Sequence, residues 1–141
     1  GSFKVTDRLL RGLEEGENEV FVVNLSAADI VAHTGSLEKT VEAVQFLDTC
    51  LGGIVDKIRE VGGTAIITAD HGNIEQMINP STGRPDPRHT SNPVPFLLIS
   101  DAENSCSLRE DGALEDIAPT ILAILGLDKP AEMTGRDLRQ A

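Results

Sequence analysis

TAIITADHG, Thr64–Gly72, is the stretch on which the reading of this chain turns. Its first six residues form a short apolar run rich in β-branched side chains, the pattern of a strand buried on both faces, and such strands belong to parallel sheets. Asp70 and His71 then stand at the strand's carboxyl end, where a polar, titratable pair has no packing reason to be. Gly72 permits the abrupt turn that both side chains need to converge on one centre. Immediately upstream, Gly62-Gly63 closes a long helical pattern. Leu37, Val41, Val44, Leu47, Leu51, Ile54, Val55 and Ile58 recur at three and four residues, with Ser36 available as cap, so a helix is expected from Ser36 to about Val61. Gly52 and Gly53 each cost up to about 1 kcal/mol relative to Ala there, which predicts a close helix-to-sheet contact or a local bend.

Further out, VFVVNL (Val20–Leu25) reads as a second buried strand. A short helix is expected over Thr6–Glu15, with Thr6 capping it and Gly16 ending it. Downstream, Asn73–Asn92 is rich in Asn, Pro, Ser, Gly and Arg and reads as a long functional loop. VPFLLIS (Val94–Ser100) is a third strand, Asp101–Asp111 a polar connector, and Glu115–Leu125 a helix with Pro119 in its first turn and Gly126 just past its end. Strands alternating with helices indicate the α/β class with a largely parallel sheet.

The chain has 141 residues and 12 Lys plus Arg against 23 Asp plus Glu, a formal net charge of −11. Such a field repels polyanions, so no nucleic-acid partner is expected, and an anionic substrate has to be held by a local device. Aromatic residues make up 3%, with no Trp or Tyr, which leaves few stacking platforms for bases or sugars. Cys50 and Cys106 lie in neither a CxxC nor a paired-ligand spacing and read as free thiols, Cys50 as a core residue. No run approaches the roughly 18 to 20 apolar residues of a membrane span, so the expectation is a soluble, cytoplasmic protein with no membrane partner. Gly1-Ser2 reads as a remnant of tag removal, and residues 3–141 as a single partial domain.

All three histidines, His33, His71 and His89, fall in loops or turns near the strand ends. Asp29 precedes His33 by four positions, so one helical turn places both on one face within reach of one metal ion. Asp70 and His71 are the second pair, and His89 arrives from the long loop to complete the first cluster. Carboxylate mixed with imidazole suits Mn²⁺, Zn²⁺ or Fe²⁺ rather than Ca²⁺ or a thiolate-selected metal; Mn²⁺ or Zn²⁺ is expected. Ser26, Thr34, Thr68, Thr90 and Ser91 are read as turn-capping or supporting hydroxyls rather than nucleophiles. Asn24, Asn73 and Asn92 are candidates for orienting ligands. Arg84 and Arg88 are read as solvated, with Asp86 between them.

NLSAADIVAHTG (Asn24–Gly35), ITADHGN (Ile67–Asn73), HTSNPVPF (His89–Phe96) and DIAPTILAILGL (Asp116–Leu127), in that order and spacing, resemble the carboxyl-terminal part of the 2,3-bisphosphoglycerate-independent phosphoglycerate mutase family, within the alkaline phosphatase superfamily. The resemblance runs from about Thr6 to Leu138. Where the family usually has Asn-Pro before the first aspartate and Gly before the first histidine, this chain has Ala27, Ala28 and Ala32; the ligand positions are kept.

The resemblance implies a truncated alkaline-phosphatase-like α/β/α three-layer sandwich with a mostly parallel sheet. It implies two metal centres, Asp29, His33 and His89 matching one and Asp70 and His71 half of the other. The family's nucleophilic serine has no counterpart in this chain, and no residue here matches its substrate-binding arginines and histidine. The implied activity is an isomerase of glycolysis that converts 3-phosphoglycerate to 2-phosphoglycerate through a phosphoserine, with this chain supplying metal ligands and inactive alone. The alternatives are another phosphohydrolase or phosphopentomutase of the superfamily, and a non-catalytic metal-binding or interaction module. Unpaired sheet edges or apolar surface make self-association a further expectation.

Overall fold

The structure is a computed structural model describing residues 1–102 and 106–140. It divides into two compact units, Gly1–Ala102 and Glu103–Ala141.

The first unit is organised on the long helix. Helix α1 spans Ser2–Glu15, α2 spans Ala27–Ala32 and α3 spans Leu37–Glu60. The Ser36 side chain accepts from the Lys39 amide at 3.3 Å, the cap expected of it. Both α1 and α2 pack against α3, and Leu9, Ala32, Cys50 and Ile54 are buried there. Cys50 is thus the core thiol that its position on the helix predicted. Lys57 adds a polar tie, reaching Glu14 of α1 at 3.0 Å and Glu60 at 2.8 Å.

Several local expectations are corrected. Helix α1 begins a turn before Thr6, which sits inside the helix, buried, with its hydroxyl unpartnered, so it caps nothing. Gly52 and Gly53 face open space rather than a sheet: an added Cβ meets no atom within 4 Å at either. Along α3 the apolar stripe is only partly covered, for Leu37, Val41 and Val44 are exposed. Val20–Leu25 carries no strand, because β-propensity needs a neighbouring ladder to be realised and none of the described strands pairs with it. Val22 is 92% exposed. Phe21 instead lies over Gly12 of α1, where an added Cβ would stand 2.8 Å from its ring.

Strands β1 (Ala65–Thr68) and β2 (Phe96–Ile99) lie within the expected segments and pair from Ala65 opposite Ile99 to Thr68 opposite Phe96. They are antiparallel, which corrects the expectation of a mostly parallel sheet for the ladders described here. The reason lies in the connection: a parallel pair needs a crossover, usually helical, whereas residues 69–95 form a loop with one 3₁₀ turn, Ile74–Gln76, and return the chain directly alongside β1. Isolated bridges between Gly72 and Thr90 and between Ile78 and Pro85 fold this loop back on itself.

In the second unit, a 3₁₀ turn at Leu114–Asp116 leads into α4, Ile117–Ile124, and Gly126 follows in the left-handed conformation at φ 68°, the helix and stop expected. Strands β3 (Ser107–Leu108) and β4 (Arg139–Gln140) form a short antiparallel pair in segments read as connector and tail. Thr120, fully buried, donates to the Asp116 carbonyl at 2.7 Å and accepts from the Leu138 amide at 3.0 Å. Among the described residues no helix is long and apolar enough to cross a membrane.

Candidate metal centre

Helix α2 is short, but its i, i+4 geometry determines the first candidate pair. The His33 amide donates to the Asp29 carbonyl at 3.2 Å, which sets the two side chains on one face, His33 Nε2 standing 3.4 Å from Asp29 Oδ1. His71 enters from the end of β1 and His89 from the loop before β2. The Thr90 amide donates to the Gly72 carbonyl at 2.8 Å and zips these two segments together. The rings of His71 and His89 consequently stack, with centroids 3.6 Å apart and planes 18° from parallel.

Four side chains thus meet. His89 Nε2 lies 3.1 Å from His33 Nε2 and 3.3 Å from Asp29 Oδ1. Ligand atoms of Asp29, His71 and His89 lie within 4.8 Å of one another. Asp70 stays at the margin: its side chain is 89% exposed, with Oδ1 3.7 Å from His71 Nε2.

The donor set suits a divalent cation. Two imidazole nitrogens facing each other at 3.1 Å either share one proton or turn both lone pairs toward one cation, and a carboxylate oxygen lies beside both. Asp29 is ready for the second case. Partial burial pushes its pKa up, but the Asn73 amide and the nearby His33, His89 and His71 outweigh this and hold it below the ordinary carboxylate value.

Around the candidate ligands lies a layer of supporting contacts. Asn73, buried, donates from Nδ2 to Asp29 Oδ1 at 2.9 Å, the role expected of it. Asn92 donates to Glu75 at 3.0 Å. Arg88 is exposed, as expected of it, and also forms a double hydrogen bond with buried Asp86, both contacts at 2.7 Å. Glu75 escaped the reading of the sequence: it accepts from the Asn73 amide at 2.6 Å and from the Thr90 hydroxyl. The Thr90 hydroxyl is the largest influence holding its pKa below the usual glutamate value. The available signal was half a capping box, an acid shortly after an Asn that opens a turn. Gly72 also has a different reason from the one expected. Its φ is not positive; it is required for room, because an added Cβ would collide with the Thr90 hydroxyl and lie 2.6 Å from Glu75 Oε1.

A family model described as the metalloenzyme superfamily matches residues 2–129. The chain is 50% identical over 135 residues to the 2,3-bisphosphoglycerate-independent phosphoglycerate mutase of Pseudomonas paraeruginosa, covering 96% of this chain and 26% of that protein. It is 50% identical over 137 residues to the enzyme of the same name from Clostridium botulinum, covering 97% and 26%. It therefore spans about a quarter of the length of these curated relatives. Among solved structures, phosphoglycerate mutase of Leishmania mexicana, crystallised at low cobalt concentration, superimposes with a TM-score of 0.88 at 27% identity, covering 99% of this chain and 28% of that one. This likeness bears out the expected α/β fold.

Proposed function

The chain belongs to the metalloenzyme superfamily, and from that premise we propose that it is the metal-ligating part of a phosphoglycerate mutase. The whole enzyme would convert 3-phosphoglycerate to 2-phosphoglycerate in the cytoplasm, through a phosphoserine on a residue this chain does not carry. The observation that carries the reading is the convergence of Asp29, His33, His71 and His89 from three separate segments onto one cluster.

Asp29, His33 and His89 would hold one divalent ion, and Asp70 and His71 would contribute to a second; Mn²⁺ is proposed, with Zn²⁺ as the alternative. When bound, such ions lower the pKa of a coordinated hydroxyl and offset the charge of a phosphoryl group. The chain's own residues prepare the site. Asp29 stays deprotonated, Asn73 orients it, and the His71 Nδ1 contact with the Gly72 carbonyl at 3.3 Å, made as a donor by the neutral ring, would place the lone pair on Nε2. Fixed cations also answer the problem set by a net charge of −11, since they supply the local positive field that a phosphorylated substrate needs.

The test is conversion of 3- to 2-phosphoglycerate with added Mn²⁺, by the chain alone and mixed with the remaining segment of a relative. Activity only on mixing is expected. No activity in either case, with fold and metal uptake verified, favours a non-catalytic metal-binding module. Self-association is part of the proposal, supported by exposed apolar side chains such as Phe3, Val22 and Leu97. A constant monomer mass by sedimentation across a wide concentration range counts against it.

A further inference from the structure

We propose that Glu75 is a positioning residue that latches the two ligand-bearing loops, 70–73 and 89–92, to each other through its two carboxylate oxygens. The proposal rests on the reading of His71 and His89 as ligands, and assigns the element that sets their spacing.

The oxygens divide their work. Oε2 accepts from the backbone N–H of Asn73 at 2.6 Å, on the first loop. Oε1 accepts from the Thr90 hydroxyl and from Asn92 Nδ2 at 3.0 Å, both on the second. Every partner is a donor, so the bridge calls for a group that accepts on both oxygens, which among side chains is an ionised carboxylate. His71 directly precedes Gly72, and His89 directly precedes Thr90. The latch and the Thr90-to-Gly72 backbone bond at 2.8 Å therefore clamp the chain immediately beside both rings. The clamp is closely packed, since no Cβ fits at Gly72 between Thr90 and Glu75. It also continues into the metal cluster, because the residue whose amide Glu75 accepts from, Asn73, is the one whose side chain holds Asp29.

Glu75→Gln is the decisive variant: nearly isosteric, it keeps one acceptor oxygen and turns an NH₂ toward donors. Thr90→Val removes one arm only. Both are made in the 141-residue chain and read by backbone hydrogen exchange and by titration with Co²⁺ followed by its visible absorption. In Glu75→Gln, exchange at the Thr90 amide is expected to accelerate about tenfold or more while α3 amides keep their protection. Co²⁺ affinity is expected to fall about 10–100-fold with an altered ligand-field band. Thr90→Val is expected to move both in the same direction by less, and the double variant to fall short of the sum. Unchanged Thr90 exchange in Glu75→Gln overturns the latch, whatever the metal does. Should Glu75→Gln lose protection throughout α3, Thr90→Val decides by the same readings. A parent chain that takes up no Co²⁺ counts against the metal reading above, and the exchange result still judges Glu75.

Discussion

Asn73 donates a hydrogen bond from Nδ2 to Oδ1 of Asp29 at 2.9 Å, across 44 positions of sequence. The amide is buried and the carboxylate only half so, which makes Asn73 the fixed partner and Asp29 the oriented one. Replacing Asn73 with Ala removes an orienting donor without touching a ligand. Mn²⁺ affinity is expected to fall about 10–100-fold, the usual effect of losing such a partner. Isothermal titration of the variant and the parent chain checks this, and equal affinities contradict the role.

Gly72→Ala tests the tightness of the same corner. The new methyl collides with the Thr90 hydroxyl and with Glu75, so it has to open the junction of the two loops. Weaker Co²⁺ binding is expected with little change in α3. Because φ at Gly72 is not in the left-handed region, shrinking one of the two colliding neighbours should recover part of the loss: Gly72→Ala should cost less metal affinity in a Thr90→Ala background than in the parent chain. No such recovery shows that the residue is needed for something other than room.

Asp86 contributes to the acid limb of stability. The Arg88 guanidinium beside it brings its carboxyl from 3.8 down to about 2. A carboxyl with a lower pKa folded than unfolded adds stability that is fully present above the unfolded value and is lost as pH falls through the folded one. The window is therefore pH 4 down to about 2. Melting temperatures of the parent and of Asp86→Asn should differ most at neutral pH and converge across that window. A difference that stays constant to pH 2 excludes this origin.

In the second unit, Asp116 accepts from the Ala113 and Arg136 amides, each at 2.8 Å, while almost wholly buried. Asp116→Ala removes both hydrogen bonds and should cost about 0.5–1.5 kcal/mol for each. Thr120→Val, which orphans the Leu138 amide, should cost about 1–3 kcal/mol. Denaturant unfolding of each variant measures this, and a change below about 0.5 kcal/mol, the scale of a neutral surface substitution, refutes it.

Most of what could be read along the chain was local. The Ser36 cap, the i, i+4 relation of Asp29 to His33, and the Gly126 stop are each decided by neighbours within a helical turn or two, so short-range stereochemistry fully encodes them. Val20–Leu25 shows the opposite case. Its composition is that of a strand, yet strandhood is a relation to another strand, and the described residues provide it with none. The bare end of the α3 stripe belongs with it: amphipathicity announces that a face should be covered, and says nothing about by what. In a chain spanning about a quarter of its relatives' length, such faces are expected to be open.

The sequence by itself determined which side chains are candidates for chemistry here: three imidazoles, the carboxylates beside them, and the loops that carry them, because ligand type and i, i+4 spacing are properties of the chain. Only the tertiary structure decided that His71 stacks on His89, that β1 and β2 run antiparallel, that Gly72 is chosen for space, and that Glu75 joins two loops. Each of these is a contact between segments well separated along the chain or in different turns of the loop. The free energy of such contacts depends on what the fold brings to within a few ångströms, and no local pattern carries that information.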